Sequence, residues 1–185
     1  MKRDTLILII GARCTGKTTL ELNLREAVLG DCKSEFVYTD NGKVCFIGKT
    51  ANKFGRLLAT GGSERIKEPL LSLPNYDITV ATVTPGYDKA GILNLAGETP
   101  NVYVFSVHTD NRKYYYRRRT KHFSKREPIK DMGPAKPVKV DFKYTELYTY
   151  RTENLHLAYV KALKLLSCKI ERKYDVDILC RTIFQ

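Results

Sequence analysis

Gly11-Ala12-Arg13-Cys14-Thr15-Gly16-Lys17-Thr18 decides how this chain is read. The stretch has the spacing G-x-x-x-x-G-K-[ST], and its flanks suit it. Upstream, Leu6-Ile7-Leu8-Ile9-Ile10 is a continuous apolar run, as a parallel strand buried on both faces requires. Downstream, Leu20, Leu24, Ala27 and Val28 recur at helical spacing, with Gly30 as a stop. Strand, glycine loop and helix together make a phosphate cradle. Backbone N–H groups face the anion there, and the helix N-terminus adds its partial positive charge.

That motif assigns Gly11, Ala12, Arg13, Cys14, Thr15, Gly16, Lys17, Thr18 and Thr19 to a nucleoside triphosphate, with ATP as the expected nucleotide. Lys17 is expected to reach the β- and γ-phosphates, and the Thr18 hydroxyl to hold Mg²⁺. Cys14 lies near a helix start, where a thiol can be activated, but a small filler suits the position equally well.

Around this centre the 185 residues suit one domain spanning 1–185. No apolar run approaches the roughly 20 residues of a membrane span, so no membrane role is expected. Met1-Lys2-Arg3-Asp4 leads into a run too short for a signal peptide and without a cleavage site. Five cysteines without paired spacing argue against a disulfide framework and for a reducing compartment. His108, His122 and His156 stand apart from each other and from any Cys pair, so no zinc site is expected.

Charge is concentrated in one place. The balance is +12, from 32 Lys and Arg against 20 Asp and Glu. Arg112 to Lys139 holds eleven basic residues against Glu127 and Asp131, a balance of +9. Including Asp110 and Asp141 still leaves +7. Such a patch suggests a polyanionic partner.

In chain order, Glu35–Thr39 and Lys43–Ile47 are β-type runs joined by Asp40-Asn41-Gly42, a hairpin signal. Residues 48–65 read as a glycine-rich loop, with Lys49, Lys53, Arg56 and Arg65 available to phosphates. Ser63 can cap a short helix ending at Pro74, and Glu64 is either a first-turn acid or a catalytic group. Ile78–Val83 is the next buried strand. The acid that usually supports Mg²⁺ at such a strand's end is missing, and Asp88 is the nearest substitute. Thr82 or Thr84 acting through a metal-bound water is the alternative.

A short helix is expected over 90–96, ended by Gly97, and a third strand over 101–107. Asp110 can cap a helix bearing Arg112, Lys113, Tyr114, Tyr115, Tyr116, Arg117, Arg118, Arg119, Lys121 and His122. Interleaved Tyr and Arg can stack bases and hold phosphates, or the tyrosines can pack on the sheet with the arginines in water. Residues 125–141 read as a loop. The spacing predicts a long helix over 142–166, striped by Leu147, Leu155, Ala158, Ala162, Leu165 and Leu166. A last strand over 168–173 and a helix over 176–184 complete the expected elements.

The first two-thirds resembles the bacteriophage P-loop kinases that phosphorylate 5-hydroxymethyluracil in DNA. The likeness lies in the Walker loop, the following hairpin, Ile47-Gly48-Lys49, Gly61-Gly62-Ser63-Glu64-Arg65, and the strand and Arg-rich helix from Val102 onward. The family-like pattern favours Asp at Glu64 and an acid at Thr82, which leaves proton abstraction from the acceptor unassigned. The resemblance implies an α/β P-loop kinase-like three-layer sandwich with a mostly parallel sheet, an inserted hairpin and an Arg-rich lid over about 110–141. It implies ATP and Mg²⁺, DNA with a hydroxymethylated pyrimidine as partner, no protein partner, and the cytoplasm of an infected bacterium. Lys17, Glu64, Asp88 and Arg119 are then the expected catalytic residues. Lys49, Arg56, Arg65, Arg112, Tyr115, Arg117, Arg118 and Lys121 would bind the acceptor. The alternatives are a nucleoside monophosphate kinase and a nucleic-acid-binding P-loop NTPase.

Overall fold

Strand β1 (Thr5–Gly11) lies at the centre of a five-stranded sheet and is buried along its whole length. The remaining elements are α1 (Lys17–Leu29), β2 (Val44–Ile47), β3 (Ile78–Val83), β4 (Asn101–His108) and β5 (Glu146–Arg151). A 3₁₀ turn (Thr152–Asn154) then leads into α2 (Leu155–Tyr174). The computed structural model describes residues 4–29, 44–47, 78–83, 96–111, 113, 115–117 and 134–174.

The strand order is β2-β3-β1-β4-β5, and every pairing is parallel. Leu8 stands beside Ala81 on one side and Val104 on the other. The chain adds β2 and β3 on one side of β1, then crosses to place β4 and β5 on the other. This order puts a crevice at the carboxyl end of β1, where open α/β sheets take ligands.

The apolar run of β1 divides by alternation between two cores. Ile7 and Ile9 join Leu20 and Leu24 of α1 and Ala158, Ala162 and Leu166 of α2. Leu6, Leu8 and Ile10 join Val83, Ala96, Val102 and Val104, with Val138, Val140 and Phe142 packed on them. Each such buried side chain contributes about 1.5–3 kcal/mol relative to exposure. Both faces being covered explains why strands 5–11, 78–83 and 101–108 carry apolar residues on both faces rather than alternating apolar with charged ones.

Several sequence expectations are corrected. The long helix over 142–166 is split, because Glu146–Arg151 is a strand. Tyr148 and Tyr150, two residues apart, both pack on Phe105, at 4.9 Å and 6.3 Å between ring centroids. That period of two belongs to a strand. The helix begins only at Leu155 and runs through Cys168–Lys173, which therefore form no last strand. Residues 134–142 form no helix or strand, in keeping with the loop expected over 125–141, but they are anchored to the sheet. Thr109 bridges Ala135, with the Thr109 N–H donating to the Ala135 carbonyl at 3.0 Å, and the valines that follow cover the sheet. Gly97 lies within a helical turn and has no left-handed φ. Val44–Ile47 is an edge strand of the parallel sheet. The other hairpin arm, the helix after Ser63, most of the 90–96 segment and the 176–184 helix lie outside the described residues.

Candidate nucleotide-phosphate site

The loop between β1 and α1 is held by its own side chains. Lys17 Nζ donates to the carbonyls of Gly11 at 2.8 Å and Ala12 at 2.7 Å. Thr15 Oγ1 donates to the Ala12 carbonyl at 2.9 Å. The Leu20 N–H donates to the Gly16 carbonyl at 3.0 Å and opens the helix. The N–H groups of Lys17, Thr18 and Thr19 lie in the first turn, where no intrahelical acceptor exists.

Two glycines are required here. A Cβ at Gly11 would lie 2.2 Å from the Val107 carbonyl oxygen on β4. Gly16 has φ +101°, a region L side chains rarely adopt. Cys14 has φ +67° without being glycine, a strain of about 1–2 kcal/mol. Such strain persists only where surrounding contacts impose it. Here the Lys17 and Thr15 bonds on either side of Cys14 supply that constraint.

The electrostatics favour an anion. No acidic residue stands in the first turn of α1, so the helix dipole and the buried Lys17 ammonium act together. Arg13 and Thr19 are exposed, and Thr18 is half-buried. The residues fit a triphosphate with its Mg²⁺. Lys17 can exchange its two loop carbonyls for phosphate oxygens, and the Thr18 hydroxyl stands one residue further along the same turn. Among the described residues no three His, Cys, Asp or Glu side chains gather to hold a metal by themselves.

The strand end that lacks its acid has a neighbour the sequence reading missed. Thr82 Oγ1 donates to Glu21 Oε2 at 3.2 Å, and Arg25 Nη2 pairs with Glu21 Oε1 at 3.0 Å. Both partners of the ion pair are fully buried. The Arg25 guanidinium lies over the Phe46 ring at 5.7 Å. The available signal was Glu21 and Arg25 at i and i+4, each directly after a core leucine of α1. Thr82 therefore turns its hydroxyl to a carboxylate on α1.

At the other end of the crevice, β4 leads into the root of the basic helix. Residues 113 and 115–117 are helical, and the Tyr115 N–H donates to the Asn111 carbonyl at 2.9 Å. Before this turn Thr109 Oγ1 accepts the Asn111 N–H at 3.2 Å, and Asp110 Oδ2 pairs with Arg151 at 2.9 Å. The Arg112 amide that the expected Asp110 cap would reach lies outside the described residues. Tyr115 is 3% exposed, so its ring is packed rather than offered for stacking, as the alternative for this helix holds. Tyr116 and Arg117 are exposed. Glu64, Asp88, Arg119, Lys49, Arg56, Arg65, Arg112, Arg118 and Lys121 lie outside the described residues. The structure thus brings together the loop 11–18 and the start of the basic helix.

Cys14 and Cys168 are free, and among the described residues no helix is long and apolar enough to cross a membrane. No protein-family model matches this chain, and no curated protein matches it.

Proposed function

We propose that the chain is an ATP-dependent P-loop phosphotransferase whose acceptor is the hydroxymethyl group of a modified pyrimidine, 5-hydroxymethyluracil, in DNA. The observation that carries the phosphotransferase reading is the loop 11–18. It lies at the carboxyl end of the central strand, with Lys17 across its carbonyls and the N-terminus of α1 behind it. The DNA part draws on the basic segment, whose described members Lys113, Arg117, Lys136 and Lys139 are all exposed. The resemblance of the first two-thirds to phage DNA-base kinases supplies the acceptor.

In this reading Lys17 leaves the Gly11 and Ala12 carbonyls for phosphate oxygens, and the first-turn amides of α1 donate to the same group. Thr18 would hold Mg²⁺, which neutralises charge on the β- and γ-phosphate oxygens when bound. The acceptor oxygen forms a bond to the γ-phosphorus while the bond to the bridging oxygen breaks, and ADP leaves with that electron pair. The hydroxyl proton passes to Glu64 or Asp88. Arginines of the basic helix, Arg119 among them, balance charge on the group in transfer. A base inside duplex DNA must be turned outward first, at about a few kcal/mol.

The test supplies γ-labelled ATP with DNA containing 5-hydroxymethyluracil, ordinary DNA and free nucleotides. Label on the modified DNA alone supports the proposal. Label on free monophosphates makes the chain a small-acceptor kinase, and phosphate release without transfer makes it an NTPase.

A further inference from the structure

The corner between β5 and α2 holds three consecutive residues, and each grips a different part of the site. Arg151 Nε pairs with Asp110 Oδ2 at 2.9 Å. Thr152 Oγ1 donates to the Thr15 carbonyl at 2.8 Å and to the His108 carbonyl at 3.0 Å, its one proton shared between them. Glu153 Oε1 accepts from Thr109 Oγ1 at 3.1 Å. Leu155, on the next turn, lies against Gly16, where a Cβ would meet Leu155 Cδ2 at 3.1 Å and Thr152 Cγ2 at 3.8 Å. The Arg151–Asp110 pair is exposed at both ends and contributes little. Thr152 is different, being 7% exposed, and its two carbonyl partners belong to the nucleotide loop and to the end of β4.

The peptide bond is planar and trans, so its C=O and N–H point in opposite directions. A hydrogen bond to the Thr15 carbonyl therefore also fixes the following N–H, that of Gly16, pointing away from Thr152. We propose that Thr152 is a positioning residue for the phosphate-binding loop, locking the Thr15–Gly16 peptide so that the Gly16 amide donates to a bound polyphosphate. Through Glu153 the same corner ties the loop to Thr109 and the root of the basic helix. The inference depends on the nucleotide seat proposed above and adds a residue 137 positions away in sequence from the loop residue it holds.

The experiment measures binding of a non-hydrolysable ATP analogue with Mg²⁺, and of tripolyphosphate, to the full chain and to Thr152→Val and Thr152→Ser, below the melting temperature of each. Valine keeps the shape and removes the donor, and serine keeps the donor. Thr152→Val is expected to bind both ligands about tenfold more weakly, and Thr152→Ser to bind them nearly as the parent does. A purely structural role would lower the melting temperature of Thr152→Val and leave both affinities unchanged, overturning the proposal. Weakening of the analogue but not of tripolyphosphate would also overturn it, by placing the effect at the base. If Thr152→Val does not fold, the Gly16 amide resonance of the unsubstituted chain decides. It moves on addition of tripolyphosphate if the proposal holds and stays in place if it does not. An unsubstituted chain that binds neither ligand removes the nucleotide seat itself, and the role of Thr152 falls with it.

Discussion

Gly11→Ala is the most severe single-methyl change the described loop offers. The new Cβ would stand 2.2 Å from the Val107 carbonyl oxygen, 2.9 Å from Thr15 Oγ1 and 3.2 Å from the Val107 carbonyl carbon. An ordinary carbon–oxygen contact is about 3.3 Å or more, so roughly 1 Å must be recovered. The two Val107 atoms belong to backbone, and no side-chain change at Val107 relieves them. β1 and β4 are paired from Thr5–Asn101 to Gly11–Val107, so opening the last pair strains the centre of the sheet. Overpacking of this kind costs about 1–3 kcal/mol. The Gly11 φ of +156° adds a conformational cost of about 1–3 kcal/mol for a side chain. The sum, about 2–6 kcal/mol, is a large part of the 5–15 kcal/mol typical of a whole domain. Urea unfolding at equilibrium reads it directly as a lower midpoint at unchanged slope. Gly97→Ala is the internal control, because a Cβ there meets nothing within 4 Å. It is expected to stay within about 0.5 kcal/mol of the parent. Equal midpoints for the two variants would refute the close approach of β4 to the loop.

Glu21→Ala leaves the Arg25 guanidinium buried without its carboxylate and is expected to cost about 3–5 kcal/mol in urea unfolding. A loss under about 1 kcal/mol would mean the pair is not sequestered. Alkaline pH gives another test. Burial raises the phenol pKa values of Tyr148, Tyr150 and Tyr159, and at Tyr148 the hydrogen bond to the Glu146 carboxylate and its charge raise it further. The unfolded chain loses those protons near pH 10 while the folded chain keeps them. Stability is therefore unaffected by these groups below about pH 10 and falls as pH rises toward the folded values. Phenolate absorbance followed alongside unfolding checks this, and ionisation of all tyrosines near pH 10 without unfolding would contradict it. Replacing Arg117, Arg118 and Arg119 together with Gln is expected to weaken DNA binding and flatten its salt dependence, by up to about 0.9 in log–log slope for each phosphate no longer neutralised. An unchanged slope would return those arginines to a solvated face.

Periodicity and motif spacing were enough for β1, its loop, α1, β3 and β4, since each is a buried run or stripe whose local pattern matches its environment. β5 was misread for a physical reason. It lies at the sheet edge with Glu146, Leu147, Thr149 and Arg151 exposed, so only Tyr148 and Tyr150 mark its buried face. Leu147 then fell at a helical distance from Leu155 and extended the α2 stripe backwards. The strand order was not legible, because pairing is decided between segments tens of residues apart. Within the site, the glycines and Lys17 were legible because the motif is local. Thr152 and Glu21 were not. Thr152 reaches the loop from the far end of the chain. Glu21 has the spacing of an ordinary helix-surface acid, and only the folded chain encloses it between Thr82 and Arg25.

The central claim is that residues 11–18 seat the phosphates of a nucleoside triphosphate. The most direct measurement is a crystal structure with a non-hydrolysable ATP analogue and Mg²⁺. The account predicts the β-phosphate inside the loop, with Lys17 Nζ moved from the Gly11 and Ala12 carbonyls to phosphate oxygens and the Thr18 hydroxyl on the metal. A nucleotide bound elsewhere, with Lys17 still on those two carbonyls, would contradict it.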